Sequence, residues 1–249
     1  MLGIEHPIVM GGLTGVGTPE LAAAVSNAGG CGFVCAHQAG SPETCVQWLK
    51  QMDKLTDKPW GVNLTILREF ANAEGYCNAI IEARCPIIET AGRNPAEFIP
   101  RLKAGIPGCT IIHKCTSIRH SISAIRIGAD IISLDGFECA GHPGEDDVGN
   151  FVLQAAGARK LSVPFICSGG VSNGTQLAAA LALGAEGVNV GTLFCCSKEC
   201  IWPESFKERL IQSNETQTAI TLRPLRNSSR VFKNRSERDC QTQSISTLG

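Results

Sequence analysis

Short apolar runs recur along the chain, each followed by a loop and then a stretch whose apolar residues fall at helical spacing. This alternation predicts repeated βα units. Eight strands are expected, at residues 6–11, 32–36, 60–65, 87–90, 110–114, 131–135, 164–168 and 187–191. Between them lie helical stretches such as 19–28, with Thr18 as cap, proline in the first turn, and Gly29 and Gly30 as terminators. The pattern repeats at 42–55, 117–127 and 173–183, with Ser41 and Ser172 or Asn173 as caps and Gly128 and Gly184 as stops. Eight parallel strands joined by right-handed helical crossovers predict an α/β fold, a (β/α)8 TIM barrel, with an open doubly wound sheet as the alternative. After the eighth strand one further helical stretch is expected, at 203–213, and beyond Asn234 the chain is polar. Residues 1–234 are therefore read as one barrel domain and 235–249 as a disordered tail.

Composition narrows the class. A length of 249 residues suits one large α/β domain better than two small ones, and 43% hydrophobic residues with 27 glycines exclude fibrous and disordered chains. The net charge of −1 provides no basic field for nucleic acid, and no lysine-rich run suggests a membrane surface, which leaves a small-molecule substrate. Thirteen cysteines, an odd number placed largely within apolar strands (Cys31, Cys35, Cys109, Cys167, Cys195), argue for reduced core thiols rather than a secreted disulfide framework. With no CxxC pair, no metal site is expected. No basic region followed by an apolar run opens the chain and no stretch reaches about 18 uninterrupted apolar residues, so a cytoplasmic protein is expected.

Candidate chemistry gathers at predicted strand ends. The segment DIISLDGFECAGHPGEDD, residues 130–147, runs from an apolar strand into a glycine-flanked histidine and an acidic loop. Strand ends project reactive groups into a barrel mouth, which makes His142 the leading catalytic candidate; the alternative is a cap on the turn of Gly141 and Pro143. Ser168, Gly169 and Gly170 end the seventh strand, and Asn189, Val190, Gly191 and Thr192 end the eighth. Glycine lets backbone amides approach an anion closely and the helix starting near Asn173 adds a favourable dipole, so these two loops predict a phosphate cradle. Met10, Gly11 and Gly12 leave room for a flat ring over the mouth, Asn63 could pair with the edge of a heterocycle, and Lys114 would place positive charge beside the ligand. Strand alternation turns His113 the other way, outside the site.

These segments resemble the nitronate monooxygenase family, formerly the 2-nitropropane dioxygenases. The resemblance covers residues 3–234 through HPIVMGG, TPELAAAVSNAGG, GVNLTIL, ETAG, IHKCTSIRHS, DGFECAGHPGEDD, SGGVSNGTQLAAALALGAEGVNVGT and LRPLRNSSRV. Within the family, DGFECAGHPGEDD and IHKCT are most similar to bacterial members described as NADH:quinone reductases. The resemblance implies an FMN-dependent oxidoreductase on a TIM barrel, oxidising alkyl nitronates with O2, or reducing quinones with NADH or NADPH in the same pocket. It implies FMN contacts at Met10, Gly11, Gly12, Asn63, Lys114, Ala140, Gly141, Gly169, Gly170 and Asn189 to Thr192, with His142 beside the flavin as base or hydrogen-bond donor. Asp135 and Ala140 depart from the Gln and Gly of many nitronate-oxidising members. Members of the family continue beyond the LRNSSRV-like segment, so a truncated form is expected, its barrel lacking the last helix and the small second domain, and a non-catalytic remnant is a further alternative.

Overall fold

The strands of the computed structural model, which describes residues 1–67 and 72–233, are short runs of β-branched and apolar residues that pair in sequence order. β1 (Ile8–Met10), β2 (Cys31–Cys35), β3 (Trp60–Ile66), β4 (Ile87–Gly92), β5 (Thr110–Cys115), β6 (Ile131–Asp135), β7 (Phe165–Ser168) and β8 (Val188–Asn189) form a closed parallel barrel, with β8 pairing back onto β1. This is the expected (β/α)8 barrel; the open doubly wound sheet is excluded by that closure.

The connecting helices are α1 (Pro19–Asn27), α2 (Pro42–Leu55), α3 (Ala73–Ala83), α4 (Phe98–Gly105), α5 (Ile118–Ile127), α6 (Asn150–Lys160) and α7 (Gly174–Ala182). Local chemistry starts them where the caps predict. Thr18, Ser41, Ser117 and Asn173 each accept a hydrogen bond from the backbone N–H three residues on. After β8 come a single turn, α8 (Thr192–Cys195), then α9 (Glu204–Ile211), and last an antiparallel hairpin of β9 (Thr218–Thr221) and β10 (Ser229–Phe232). The hairpin is absent from the sequence-based expectation. The tail expected to be disordered lies outside the described residues.

Strand parity divides the interior into two cores. Outward-facing residues such as Val34, Val62, Ile88, Ile111, Ile132 and Leu134 pack under the helices. Inward residues Val9, Cys31, Phe33, Ile87, Ile112, Ile131 and Ile166 form a separate apolar plug, closed from below by Leu2 and Ile4. Above the plug the same parity brings polar side chains into the barrel. Among the described residues every cysteine is a free thiol, and no helix is long and apolar enough to cross a membrane.

His113 faces outward, where its Nδ1 lies 2.8 Å from Thr90 Oγ1 in a buried pair. Burial pushes its pKa down to about 4, which its bond to Thr90 opposes only in part. The native state therefore keeps His113 neutral at pH values where the unfolded chain, with a pKa of about 6.5, takes up a proton. Stability from this residue is present above about pH 6.5 and falls as pH drops toward 4, by about 2–3 kcal/mol at pH 4.5. Urea titrations at pH 7 and 4.5 should show this extra acid sensitivity in the parent protein and its absence in His113→Gln; equal sensitivity in both would refute the assignment.

Candidate active site

The barrel's C-terminal mouth rests on a layer of polar side chains that the inward parity of the strands delivers to one level. Glu89 of β4 is fully buried. Its Oε1 accepts hydrogen bonds from the Gly12 backbone N–H (2.8 Å) and Asn63 Nδ2 (2.7 Å), and its Oε2 accepts one from Asn189 Nδ2 (3.1 Å). Asn189 Nδ2 also donates to Ser133 Oγ (3.2 Å), while Asn189 Oδ1 accepts from the Gly11 N–H (3.0 Å). Ser133 Oγ donates to Asp135 Oδ1 (3.2 Å), and Asp135 Oδ2 lies 3.4 Å from Lys114 Nζ. On the other flank Thr65 Oγ1 donates to Asn63 Oδ1 (2.8 Å). An unbroken polar chain thus crosses the barrel from β3 to β5 through β4, β8 and β6.

Lys114 is the cation of this layer, and 23% of its side chain remains exposed at the mouth. Burial works against its charged form, but the carboxylates of Asp135 and Glu89 outweigh burial and hold its pKa above the ordinary lysine value. The lysine is charged across the physiological range.

The polar layer itself requires small residues at the glycine pair after β1. A Cβ on Gly11 would lie 2.6 Å from both Asn189 Nδ2 and Glu89 Oε2, and one on Gly12 would lie 2.1 Å from Asn63 Cγ. These positions are small because the polar layer packs directly against their backbone, below any ring that lies above it.

At the end of β7, Gly169 and Gly170 adopt φ of +96° and +72°, which L side chains rarely take. Asn150 anchors the turn by donating from Nδ2 to the carbonyls of Ser168 (2.8 Å) and Gly169 (2.7 Å). Both oxygens of Glu138 in turn accept from the Asn150 N–H, which starts α6. The turn leads into α7, whose first amides have no partner within the helix, and a Cβ on Gly174 would meet open space. Ser168 and Asn189 are register partners, so Gly191 and Thr192 at the start of α8 sit beside this turn.

His142 stands exposed on the loop after β6, next to exposed Ala140 and Gly141. The C-terminal hairpin fastens this loop. Gly141 and Arg230 exchange both backbone hydrogen bonds (3.3 and 2.7 Å), and the Arg230 guanidinium donates from Nε and Nη2 to the Phe137 carbonyl while lying 4.6 Å above the Phe137 ring. Ser228 donates from its N–H (2.8 Å) and Oγ (2.6 Å) to Glu145, which these bonds hold below the ordinary carboxylate pKa. Arg223 pairs with Asp147 at 3.0 Å.

The structure brings Gly11, Gly12, Asn63, Lys114, Gly169, Gly170, Gly191 and Thr192 to one mouth, with Ala140, Gly141 and His142 on the loop above it. It turns Met10 and Val190 outward into the helix-facing core, so only their backbone borders the site. Asn189 commits both amide hydrogens and its carbonyl to the protein. Sequence reasoning missed Glu89, Asp135 as the lysine's partner, Asn150 and Arg230. Parity alone could have found the first two, since Glu89 is two residues from Ile87 and Asp135 two from Ser133, in the inward register of Asn63 and Lys114.

This geometry has relatives. The family model described as nitronate monooxygenase matches residues 1–86 and 78–249. A Rhodococcus jostii protein named as a 5-hydroxy-7a-methyl-1-oxo-octahydroindene-4-carboxyl-CoA dehydrogenase is 30% identical over 89% of this chain, and the chain spans 61% of that protein's length. A probable nitronate monooxygenase from Staphylococcus saprophyticus is 29% identical, over 89% of this chain and 74% of its own. Among solved structures, FabK from Thermotoga maritima superposes with a TM-score of 0.88 at 35% identity, covering 96% of this chain and 74% of that one. Nitroalkane oxidase from Streptomyces ansochromogenes superposes with a TM-score of 0.84 at 25% identity, covering 95% and 79%. With the barrel, its mouth and these likenesses in agreement, the chain belongs to the nitronate monooxygenase family.

Proposed function

We propose that the protein is an FMN-dependent oxidoreductase that oxidises alkyl nitronates with O2. The observation that carries this reading is the pairing of a glycine turn at the start of α7 with a charged lysine on the polar layer across the same mouth. The residues suit FMN. Gly169, Gly170, Gly191 and Thr192 would hold its phosphate through backbone amides, on a turn whose positive φ at Gly169 and Gly170 suits glycine, and Gly11, Gly12, Asn63 and Lys114 would lie against its ring. When bound, FMN supplies the acceptance of electrons and their delivery to oxygen.

The chain's own residues bind and orient. Lys114 would supply positive charge beside the bound ring. His142, unencumbered on its loop, orients the substrate oxygens or takes a proton from carbon. Below the mouth, Glu89 and Asn189 are bonded to the protein and serve to hold the turn and Asn63 in place.

A second reading, NADH- or NADPH-dependent reduction of a quinone, is favoured by two observations. The charge of Lys114 is already countered by Asp135, so the mouth suits a neutral acceptor as well as an anion, and the Rhodococcus jostii relative is named a dehydrogenase. The deciding experiment is anaerobic titration of the FMN-loaded protein, read by the flavin absorption bands. Bleaching by propionate 3-nitronate supports the first reading; bleaching by NADH or NADPH alone, reversed by a quinone, replaces it with the second. A protein that retains no FMN sinks both.

A further inference from the structure

Glu89 takes no part in the chemistry above, yet every group bonded to it is an N–H donor: Gly12 N, Asn63 Nδ2 and Asn189 Nδ2. Only a group that accepts on both oxygens satisfies all three, because an amide in its place would set an N–H against at least one of them. Through these bonds Glu89 holds two successive peptide N–H groups of the turn after β1. It takes Gly12 directly, and Gly11 through Asn189, whose Oδ1 accepts that N–H. It also fixes the sense of both amides, since Asn63 Oδ1 receives Thr65 Oγ1 and Asn189 Nδ2 spends its second hydrogen on Ser133.

We propose that Glu89 is a positioning residue for the cofactor, its carboxylate locking Asn63 and the Gly11–Gly12 turn into one preorganised surface beneath the flavin ring. The inference rests on the FMN reading. Its physical content is directional: every hydrogen bond around Glu89 points toward the carboxylate, and the direction continues through Asn189 to Gly11.

Directionality can be inverted and restored. In Glu89→Gln the amide nitrogen must face Asn189 or the Gly12 and Asn63 side. Facing Asn189 costs less, and Asn189 then flips to present Oδ1, setting its own N–H against Gly11 N–H. Adding Asn189→Asp relieves the conflict at Gly11, because a carboxylate there accepts both from the amide introduced by Glu89→Gln and from Gly11, at unchanged net charge; the Asn189 bond to Ser133 is replaced by the Ser133 hydroxyl turning from Asp135, which keeps Lys114, to the new carboxylate. Two readouts report the result: hydrogen exchange at the Gly11 and Gly12 amides in flavin-free protein, and FMN affinity by quenching of flavin fluorescence. Glu89→Gln should speed exchange and weaken FMN binding, each by about tenfold or more, and the double variant should return both to within about threefold of the parent.

Unchanged exchange in Glu89→Gln would overturn the proposal, as would a double variant no better than the single one. Should Glu89→Gln fail to fold, a folded double variant supports the proposal and an equally unfolded one overturns it. If the parent binds no FMN while exchange follows the expected pattern, the flavin reading fails and the hold of Glu89 on the turn stands.

Discussion

His142→Ala should lower kcat by about 10²–10⁴-fold, the range for loss of a positioned acid–base group, while leaving flavin content and thermal stability unchanged. The side chain is exposed, so its removal opens no cavity, and its neighbour Gly141 keeps both backbone bonds to Arg230. The loop is held by its main chain and by Glu145 and Asp147, not by the imidazole. Steady-state kinetics on the substrate that bleaches the flavin, with absorption and melting curves as controls, makes the check. Turnover within about twofold of the parent would remove His142 from the mechanism and leave it as an ornament of the Gly141–Pro143 turn.

Lys114→Met should have the largest effect on the folded state, a loss of about 3 kcal/mol, because it leaves the Asp135 carboxylate buried with Ser133 as its hydrogen-bonding partner and no cation beside it. Partial exposure of the lysine places the figure at the lower end for a broken buried pair. The sign with pH follows from the raised pKa. The contribution is fully present below the ordinary lysine pKa of about 10.5 and is lost only as pH rises through the higher native value, so the deficit is constant across neutral pH. Adding Asp135→Asn should recover more than half of the lost stability but not FMN affinity, since the charge conflict is relieved while the cation at the mouth stays missing. Urea unfolding and FMN titration of the parent and both variants separate the two roles. Recovery of FMN binding in the double variant would show that Lys114 serves stability alone.

Most of the barrel could be read from the chain because its signals are local. The strand at Ile131–Asp135 and the helix at Pro42–Leu55 lie where their residues place them, since an apolar run between Asp130 and Gly136, or a Ser-Pro-Glu start with amphipathic spacing, decides each without distant help. The eighth strand, expected over five residues, shrinks to Val188–Asn189, because pairing with both β1 and β7 limits what an apolar run can become. The hairpin was missed for the opposite reason. Thr218–Thr221 and Ser229–Phe232 carry little apolar alternation, and what fixes them is Arg230 and Ser228 bonding to a loop far earlier in the chain. Glu89 was overlooked as a lone acid at the end of an apolar strand. Its meaning appears only when closure of the barrel brings Gly12, Asn63 and Asn189 to it from other strands.

The tie between Gly141 and Arg230 also makes the hairpin a reporter. Leu225, at its tip and 73% exposed, tolerates a fluorescent or spin label without touching the mouth. Any swing of the His142 loop must drag the β10 backbone with it or break the two Gly141–Arg230 hydrogen bonds and strain the Ser228–Glu145 and Arg223–Asp147 ties beside them, so a probe at Leu225 reads loop movement from outside the pocket. Substrate arrival can thereby be timed without placing an optical group among the reacting ones.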